Sequence, residues 1–281
     1  MANDETFQKN DGKHITGLAT GYNQLDSMTC GLQKGDLVIL AARPSMGKTS
    51  FLLNVIEHMG VVDQLPVALF SLAISKDHLA QRLLASHAQF SLQQMQRGII
   101  TPEDWTRLQL ASGNLEKTMI FLDDSPDLTI SQIRARAHRI KSEHGIQCVF
   151  VDYLQLVRFH GHSESRQAEV AEISRGLKAL ARELEIPVVT ASQLNSKPAD
   201  RSTHRPQMSD LRESGSIEQD ADVVALLHRE DYYHQGEEGY MPTGLAELIV
   251  AKQRNGLTGI VPLVFREECT RFESAASGSS I

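Results

Sequence analysis

Short and almost uninterrupted apolar runs recur along this chain, and longer segments of mixed polarity separate them. Such runs are typical of β-strands that are covered on both faces, because a strand with one solvated face alternates apolar and polar residues. The runs occupy residues 37–42, 67–72, 119–122, 147–151, 187–191, 223–227, 247–251 and 260–265. We therefore predict a sheet that is buried between two layers.

The segments between the runs have the spacing of amphipathic helices. Behind the first run, apolar residues follow the i, i+3, i+4, i+7 rule, and Gly60 is predicted to end that helix. Thr101 before Pro102 predicts a capped helix start, and Thr129 with Gln132 predicts a capping box. A long amphipathic helix carries Ile173, Leu177, Leu180 and Leu184 on one face.

The alternation of strands and helices predicts an α/β fold with a mostly parallel, twisted sheet flanked by helices. The last strands have no long helices between them, so we expect antiparallel edge strands there. One domain is predicted over residues 15–272. A polar segment at 1–14 precedes it, and a small, polar tail at 273–281 is expected to be disordered.

Composition narrows the class of protein further. The chain is 41% hydrophobic and 22% charged, which is typical of a globular domain. No apolar run approaches the roughly 20 residues that cross a bilayer, and the first residues lack an apolar signal-peptide core. We expect a cytoplasmic protein without a membrane partner.

Charge and cysteine content argue against two further kinds of protein: one that binds nucleic acid through an overall basic surface, and one that disulfides or a cysteine-based zinc site hold together. The net charge of −7 shows no overall basic surface, so any grip on nucleic acid has to be local or made by backbone amides. Cys30, Cys148 and Cys269 are few, odd in number and far apart, which argues against a disulfide framework and a cysteine-based zinc site. No structural metal is expected.

The first apolar run leads into a candidate phosphate-binding loop followed by a helix. A triphosphate needs backbone N–H donors that converge at a helix N-terminus, where the helix dipole also favours negative charge. Gly47 would allow the tight turn, Lys48 would reach the β- and γ-phosphates, and Thr49 would bind Mg²⁺. The candidate nucleotide-binding residues are Ala42, Arg43, Pro44, Ser45, Met46, Gly47, Lys48, Thr49 and Ser50. The alternative, a structural Gly-Lys turn, does not explain the strand and helix around it.

A second buried run ends in Asp152. Ligands of parallel α/β sheets bind at the carboxyl ends of the strands, so this carboxylate is predicted to hold Mg²⁺ together with Thr49. The alternative is an aspartate that caps the next segment.

Five strings, in this order, resemble the C-terminal domain of DnaB-type bacterial replicative helicases. They are AARPSMGKT at 41–49, VDYLQL at 151–156, ASQLN at 191–195, DLRESGSIEQDADVV at 210–224 and AKQRNG at 251–256. The resemblance spans residues 15–272, and it includes Ala42 where a generic phosphate loop has its first glycine. It implies a RecA-like P-loop NTPase fold and a homo-hexameric ring with ATP and Mg²⁺ between subunits. Single-stranded DNA would pass through the ring, with a helicase loader and primase as further partners.

The resemblance also implies roles for residues outside the phosphate loop. Gln193 matches a sensor of the γ-phosphate, and Lys252 and Arg254 match cations that reach the nucleotide of the next subunit. A guanidinium there would neutralise charge that develops on the transferred phosphoryl group. Arg229 resembles a residue that packs near the adenine. The alternatives are a strand-end amide that satisfies a loop and solvated surface cations.

A predicted channel loop would hold the DNA. Arg212, Glu213 and Gly215 match the loop that grips single-stranded DNA in DnaB-like rings. One arginine and backbone N–H groups can follow a phosphate backbone without reading bases, and six copies would line one channel despite the acidic net charge. The alternative is a polar surface turn.

Three departures from the family pattern bear on function. The string FSLA at 70–73 places Ala73 where DnaB-like proteins have the glutamate that activates the attacking water. A methyl group accepts no proton, and losing a general base typically costs about 10²–10⁴ in rate. Ala73 is either an engineered Glu→Ala change that traps the ATP state, which we favour, or the natural residue of a divergent paralogue.

The other two departures concern length and charge. Only a short polar segment precedes Ile15, where the family has an N-terminal domain and a linker helix, so we expect either a shortened chain or a protein without the primase-interacting half. Ser196 stands where the family usually has a basic residue. Two rival functions also remain: an ATP-binding assembly module that does not hydrolyse ATP, and a RecA- or RadA-type recombination ATPase. The RadA-type zinc finger and basic motif are missing from the sequence.

Overall fold

The computed structural model of the chain describes residues 8–10, 13–159, 165–196, 201, 203–211 and 215–275. Within these residues a nine-stranded sheet has the order β11-β10-β9-β8-β3-β7-β6-β4-β5. The six strands from β8 to β5 in this order are parallel, whereas β9, β10 and β11 pair antiparallel at one edge. This arrangement confirms the predicted mixed sheet with an antiparallel edge.

The strands lie close to the predicted runs. They are β3 Leu37–Ala42, β4 Val67–Ser71, β5 Ile120–Asp123, β6 Cys148–Asp152, β7 Val188–Gln193, β8 Val223–His228, β9 Leu245–Gln253, β10 Gly259–Arg266 and β11 Arg271–Ser274. A separate antiparallel hairpin joins β1 Gln8–Asn10 and β2 Lys13–Ile15. The hairpin and β11 have no counterpart among the predicted strands.

Helices connect the parallel strands. They are α1 Asn23–Thr29, α2 Lys48–Glu57, α3 Lys76–His87, α4 Leu92–Arg97, α5 Pro102–Leu115, α6 Ile130–His144, α7 Arg166–Leu184 and α8 Gly215–Asp220. Both predicted caps are confirmed, since Thr101 and Thr129 each form a full capping box. None of the helices among the described residues has the length and apolarity that crossing a bilayer requires.

The central strand β3 shows why its sequence is apolar without alternation. Leu37, Ile39 and Ala41 belong to one core with α6 and α7, while Val38, Leu40 and Ala42 belong to a second core with α1 and α2. Both faces of the strand are therefore covered, which is what the uninterrupted apolar run predicted.

Two predicted boundaries are wrong. Gly60 does not end its helix, because the chain continues from α2 into a π-helical turn, His58–Val62, in which Gly60 is buried. The predicted disordered tail starts too early, because residues 273 and 274 belong to β11. Burial explains the second error: Arg271 in β11 contacts both carboxylate oxygens of Glu57 at 2.8 and 2.9 Å, and Phe272 is 2% exposed.

Candidate active site

The candidate phosphate loop, residues 43–47, lies at the carboxyl end of β3. Gly47 has φ of +100°, and a Cβ atom there would lie 2.9 Å from the ring of Phe272. Position 47 therefore requires glycine for its conformation and for space. Ala42, before the loop, is fully buried, and its carbonyl accepts a hydrogen bond from the Leu194 amide at 3.0 Å. The chain thus accommodates alanine where a generic loop has glycine.

Part of the loop is exposed to solvent, and the residues on either side of that part are buried or hydrogen-bonded to the rest of the domain. Pro44 and Ser45 are exposed, whereas Met46 and Ser50 are buried. Arg43 donates from Nη1 to the Asn195 carbonyl at 3.2 Å, which ties the loop to the segment behind β7. The N-terminus of α2 follows directly, where the first backbone N–H groups of a helix have no intrahelical acceptor.

Lys48, the first residue of α2, folds back over this loop. Its Nζ donates to the carbonyls of Ala42 and Arg43, each at 3.1 Å. Burial and the neighbouring Arg43 lower the pKa of Lys48 to about 8, while Asp152 opposes the shift. An anion bound in the loop would place a negative charge next to the Lys48 ammonium and so stabilise its protonated form.

Thr49 and Asp152 come together at the same sheet edge. The Thr49 hydroxyl donates to Asp152 Oδ2 at 2.6 Å, and Asp152 is the last residue of β6. Burial raises the pKa of Asp152, although Thr49, Lys48 and Arg82 each act to lower it. A hydroxyl and a carboxylate are the oxygen donors that Mg²⁺ prefers, so these residues fit that ion.

Gln193 ends β7 beside the start of the phosphate loop, since it pairs with Ala42. Its backbone is held on both sides by Gln155, which accepts from the Gln193 amide at 3.1 Å and donates to its carbonyl at 3.2 Å. The side chain of Gln193 remains exposed. The sequence interpretation missed Gln155, although this residue lies within the VDYLQL string.

Arg229 follows β8 at the same edge. It is 7% exposed, and its guanidinium carbon lies 3.9 Å from the centre of the Phe265 ring. Phe265 packs against Phe272, the ring that also contacts Gly47. Arg229 and Gly47 of the phosphate loop therefore lie next to two aromatic rings, Phe265 and Phe272, that pack against each other.

The sequence profile described as "DnaB-like helicase C terminal domain" matches residues 17–274. The chain belongs to this family. It is 48% identical over 271 residues to the replicative DNA helicase DnaB of Geobacillus stearothermophilus, which covers 96% of this chain and 59% of that relative. It is 46% identical over 259 residues to the replicative DNA helicase DnaC of Bacillus subtilis (strain 168), which covers 92% of this chain and 56% of that relative. The DnaB-like chain thus spans somewhat more than half the length of these relatives.

Solved structures agree with this assignment. The structure of an ATPase domain superposes with a TM-score of 0.87 at 36% identity and covers 93% of this chain and 92% of that one. A second, described as a DnaB-like replicative helicase and its interactions with primase, superposes with a TM-score of 0.86 at 37% identity. It covers 92% of this chain and 62% of that chain.

The proposed DNA-binding motif, residues 210–224, lies only partly within the described residues. Arg212 and Glu213 lie outside the described residues, and Gly215 is the first residue of α8. The start of the motif is anchored firmly: Asp210 is 1% exposed and accepts two hydrogen bonds from Arg201, at 2.6 and 2.7 Å. The Asn195 amide also donates to the Asp210 carbonyl at 3.2 Å. The motif and the segment behind Gln193 are thus in direct contact.

Lys252 and Arg254 lie toward the amino ends of the parallel strands, whereas the phosphate loop lies at their carboxyl ends. Lys252 pairs with Val224 near the start of β8, and the Arg254 amide bonds to the Asp222 carbonyl. Val224 pairs with Ile39, and the Asp222 amide bonds to the Leu37 carbonyl. At about 3.3 Å per residue, Lys252 and Arg254 therefore lie roughly 10 Å and 15–20 Å, respectively, along the strands from the end of β3. The structure therefore does not gather these two cations with the phosphate site of their own chain.

These two cations contact the C-terminal end of α8 instead. Lys252 donates to the carbonyls of Glu218 and Ala221, and Arg254 donates to the Gln219 carbonyl at 3.1 Å. The last carbonyls of a helix lack intrahelical donors and carry negative partial charge, which explains the contact.

Ala73 lies in a bend just after β4 and is exposed. Ser71 pairs with Asp152 across the sheet, and the Leu72 amide donates to the Asp152 carbonyl at 2.8 Å. Position 73 is therefore close to the residues that fit Mg²⁺. Ser196, the other departure, is exposed at the end of a described segment, and nothing in the structure explains it.

Proposed function

We propose that this chain is the ATP-driven motor domain of a ring-forming replicative DNA helicase that moves along single-stranded DNA. The observation that carries the proposal is the contact between Thr49 and Asp152 beside Lys48, at the sheet edge where a phosphate loop meets a helix. The similarity to replicative helicases supports it. A homo-hexamer in the cytoplasm, with a helicase loader and primase as partners, forms part of the same proposal.

ATP would bind over the loop of residues 43–47. The N-terminus of α2 offers N–H donors and the positive end of a helix dipole to the phosphates. Lys48 would exchange its two carbonyl contacts for phosphate oxygens and so regain the stabilisation of its charge. Arg229, behind the loop, would border the base.

Thr49 and Asp152 would hold the magnesium ion. When bound, Mg²⁺ neutralises charge on the β- and γ-phosphate oxygens. Gln193 lies at the next strand end with an exposed side chain, and it would respond to the presence or loss of the γ-phosphate. Its neighbour Gln155 holds the backbone that keeps this side chain in place.

Helix α8 offers a direct link between DNA and the neighbouring active site. Gly215 begins the helix next to the proposed DNA loop with Arg212 and Glu213, and Lys252 and Arg254 contact its other end. A shift of the loop on DNA would move these cations, which we propose act on the nucleotide of an adjacent subunit.

Hydrolysis in this chain is proposed to be impaired at Ala73. Ala73 is exposed and follows Leu72, whose amide bonds to the Asp152 carbonyl, and its methyl group can neither accept a proton nor hold a water. This observation also favours the alternative function, an ATP-binding assembly module without motor activity. Because ATP binding uses other residues, we expect tight binding with almost no turnover.

Restoring the carboxylate tests the proposal. Ala73→Glu is expected to raise the steady-state ATPase rate by about 10²–10⁴ through general-base catalysis, and single-stranded DNA should stimulate it further. The rate of phosphate release is measured for both proteins with and without DNA. Lys48→Ala in the Ala73→Glu background serves as the inactive control.

Two outcomes would contradict parts of this proposal. Equal ATPase rates for the parent and Ala73→Glu would exclude a catalytic defect at position 73. An Ala73→Glu protein that binds ATP but hydrolyses none, with or without DNA, would favour the assembly module over the motor.

A further inference from the structure

A cluster of imidazoles surrounds one carboxylate beside the segment 203–211. Glu230 Oε1 lies 2.8 Å from His204 Nδ1 and 3.1 Å from His234 Nε2. These three ligand atoms all lie within 4.8 Å of one another. Among the described residues, no other group of three or more histidine, cysteine or acidic side chains converges in this way.

The spacing of these atoms matches that of ligands around a zinc ion. With Zn–N and Zn–O bonds of about 2.0–2.1 Å, two ligands of a tetrahedral ion lie about 3.3 Å apart. The distances of 2.8 and 3.1 Å to Glu230 Oε1 are close to this value. Two imidazole nitrogens and one carboxylate oxygen are also donors that zinc binds readily.

Each of the three side chains is positioned by a further contact. The second nitrogen of His234, Nδ1, lies 2.8 Å from Glu237 Oε2, and the second oxygen of Glu230, Oε2, lies 3.1 Å from His228 Nε2. The His204 ring stacks on Tyr233 with 4.2 Å between ring centres. Carboxylate partners of this kind orient histidine ligands at metal sites, so the cluster has the outer contacts that such sites use.

We propose that His204, Glu230 and His234 form a binding site for a divalent transition-metal ion of the zinc class. His204 Nδ1, Glu230 Oε1 and His234 Nε2 are the ligand atoms, and water completes a tetrahedron. His228 and Glu237 position the ligands without touching the metal. The site is separate from the magnesium-binding residues, which are a hydroxyl and a carboxylate.

The cluster lies between the proposed DNA-binding motif and the proposed nucleotide site. His204 belongs to the segment that leads to Asp210, at the start of the DNA motif. Glu230 and His234 follow Arg229 behind β8, and Arg43 of the phosphate loop is close enough to Tyr233 to act on its pKa, which burial raises. A bound metal would therefore hold the segment 203–211, which leads to the proposed DNA loop, against the residues that follow Arg229 near the nucleotide site.

Metal titration of the whole, tag-free chain tests this proposal. Zinc titrated into metal-stripped protein in a calorimeter is expected to bind with one ion per chain, and cobalt in its place should show the visible absorption of tetrahedral coordination. His204→Ala and His234→Ala should each weaken zinc binding by about 100-fold or more, and Glu237→Gln by about 10-fold. Zinc should raise the melting temperature of the parent and leave that of His204→Ala unchanged.

A matched control is available at a second histidine–glutamate contact. His138 Nε2 lies 3.2 Å from Glu183 Oε2, and within the described part of the chain no third ligand joins this pair, so His138→Ala should bind zinc like the parent. The proposal is overturned if zinc binding is not saturable, or if His204→Ala and His234→Ala bind zinc as the parent does. If an alanine variant does not fold, the cobalt spectrum of the parent and the zinc affinity of His204→Gln decide instead.

Discussion

Lys48 and Asp152 illustrate how burial prepares single residues for a ligand. Burial lowers the pKa of Lys48 to about 8 and raises the pKa of Asp152, so each charged form is less favourable than in water. Their mutual attraction offsets only part of this effect. The proposed magnesium-bound triphosphate would supply an anion to the lysine and a cation to the aspartate, and so relieve both penalties together.

The lowered pKa has opposite consequences for stability and for nucleotide binding. The unfolded chain keeps its Lys48 proton up to a pH near 10.5, whereas the folded chain loses it near 8. Between these values the unfolded state binds more protons, so the contribution of Lys48 to stability rises with pH. A phosphate, in contrast, needs the protonated ammonium, so binding above the lower pKa requires proton uptake.

We therefore predict that affinity for a non-hydrolysable ATP analogue is nearly constant from about pH 7 to pH 8. Above that range it should fall by up to about tenfold per pH unit, as expected for the uptake of one proton. Calorimetry across this range measures the effect. In Lys48→Arg the guanidinium does not titrate, so its profile should stay flat. Identical profiles for the two proteins would show that Lys48 does not control the titration.

At the scale of elements, local signals in the sequence account for the helix starts. Thr101 accepts a hydrogen bond from the Asp104 amide at 3.2 Å, and the Asp104 side chain accepts one from the Thr101 amide at 3.1 Å. This reciprocal pair satisfies backbone donors that α5 itself leaves without partners. The sequence predicted the cap at Thr101, because that signal lies within a few residues; the reciprocal bond from Asp104 is a finding of the structure.

The capping box leads to a prediction about stability. Thr101→Ala removes the cap and should lower the free energy of unfolding by about 1 kcal/mol, measured by urea denaturation. The control is Thr106→Ala, an exposed threonine within the same helix whose hydroxyl bonds to the Pro102 carbonyl. Because alanine has the higher helix propensity, this change should be neutral or slightly stabilising. Equal losses for both variants would contradict the role of the cap.

At the scale of the whole molecule, the chain places the two halves of its proposed catalytic machinery at opposite edges of one sheet. Lys48 and Asp152 lie at the carboxyl ends of the parallel strands, whereas Lys252 and Arg254 lie near the other ends. A rigid, buried sheet cannot bring these edges together. The proposed site, which uses both sets of residues, would therefore combine two copies of the chain, as in the proposed homo-hexamer.

Mixing two inactive variants tests this arrangement. In the Ala73→Glu background, Lys48→Ala and Arg254→Ala should each have little ATPase activity alone. After subunit exchange at equal amounts, about one interface in four would combine an intact Lys48 with an intact Arg254, so up to about a quarter of the activity should return.

The control for this experiment mixes Lys48→Ala with Asp152→Asn. Both changes damage the same half of the site, so no interface is complete and no activity should return. Failure of the first mixture to exceed its separate components, once exchange has been demonstrated, would argue against a site shared between subunits.

Some features of the fold could not be read from local patterns. Strand β11 is short, and its core contacts come from residues far away in sequence, since Arg271 binds Glu57 and the Phe272 amide bonds to Asn54. The histidine cluster was missed for the same reason. His204 and Glu230 are 26 positions apart, and only the fold places Glu230 between His204 and His234.

The sequence by itself determined strands β3 to β10, the capped starts of α5 and α6, the candidate phosphate loop and the strand-end position of Asp152. Each of these depends on periodicity or on spacing within a few residues, which the backbone geometry of a strand or helix enforces. The tertiary structure alone decided the contact of Thr49 with Asp152, the remote position of Lys252 and Arg254, and the gathering of His204, Glu230 and His234. These features arise from side chains that are distant in sequence and meet only once the sheet order and the packing of its two faces are set.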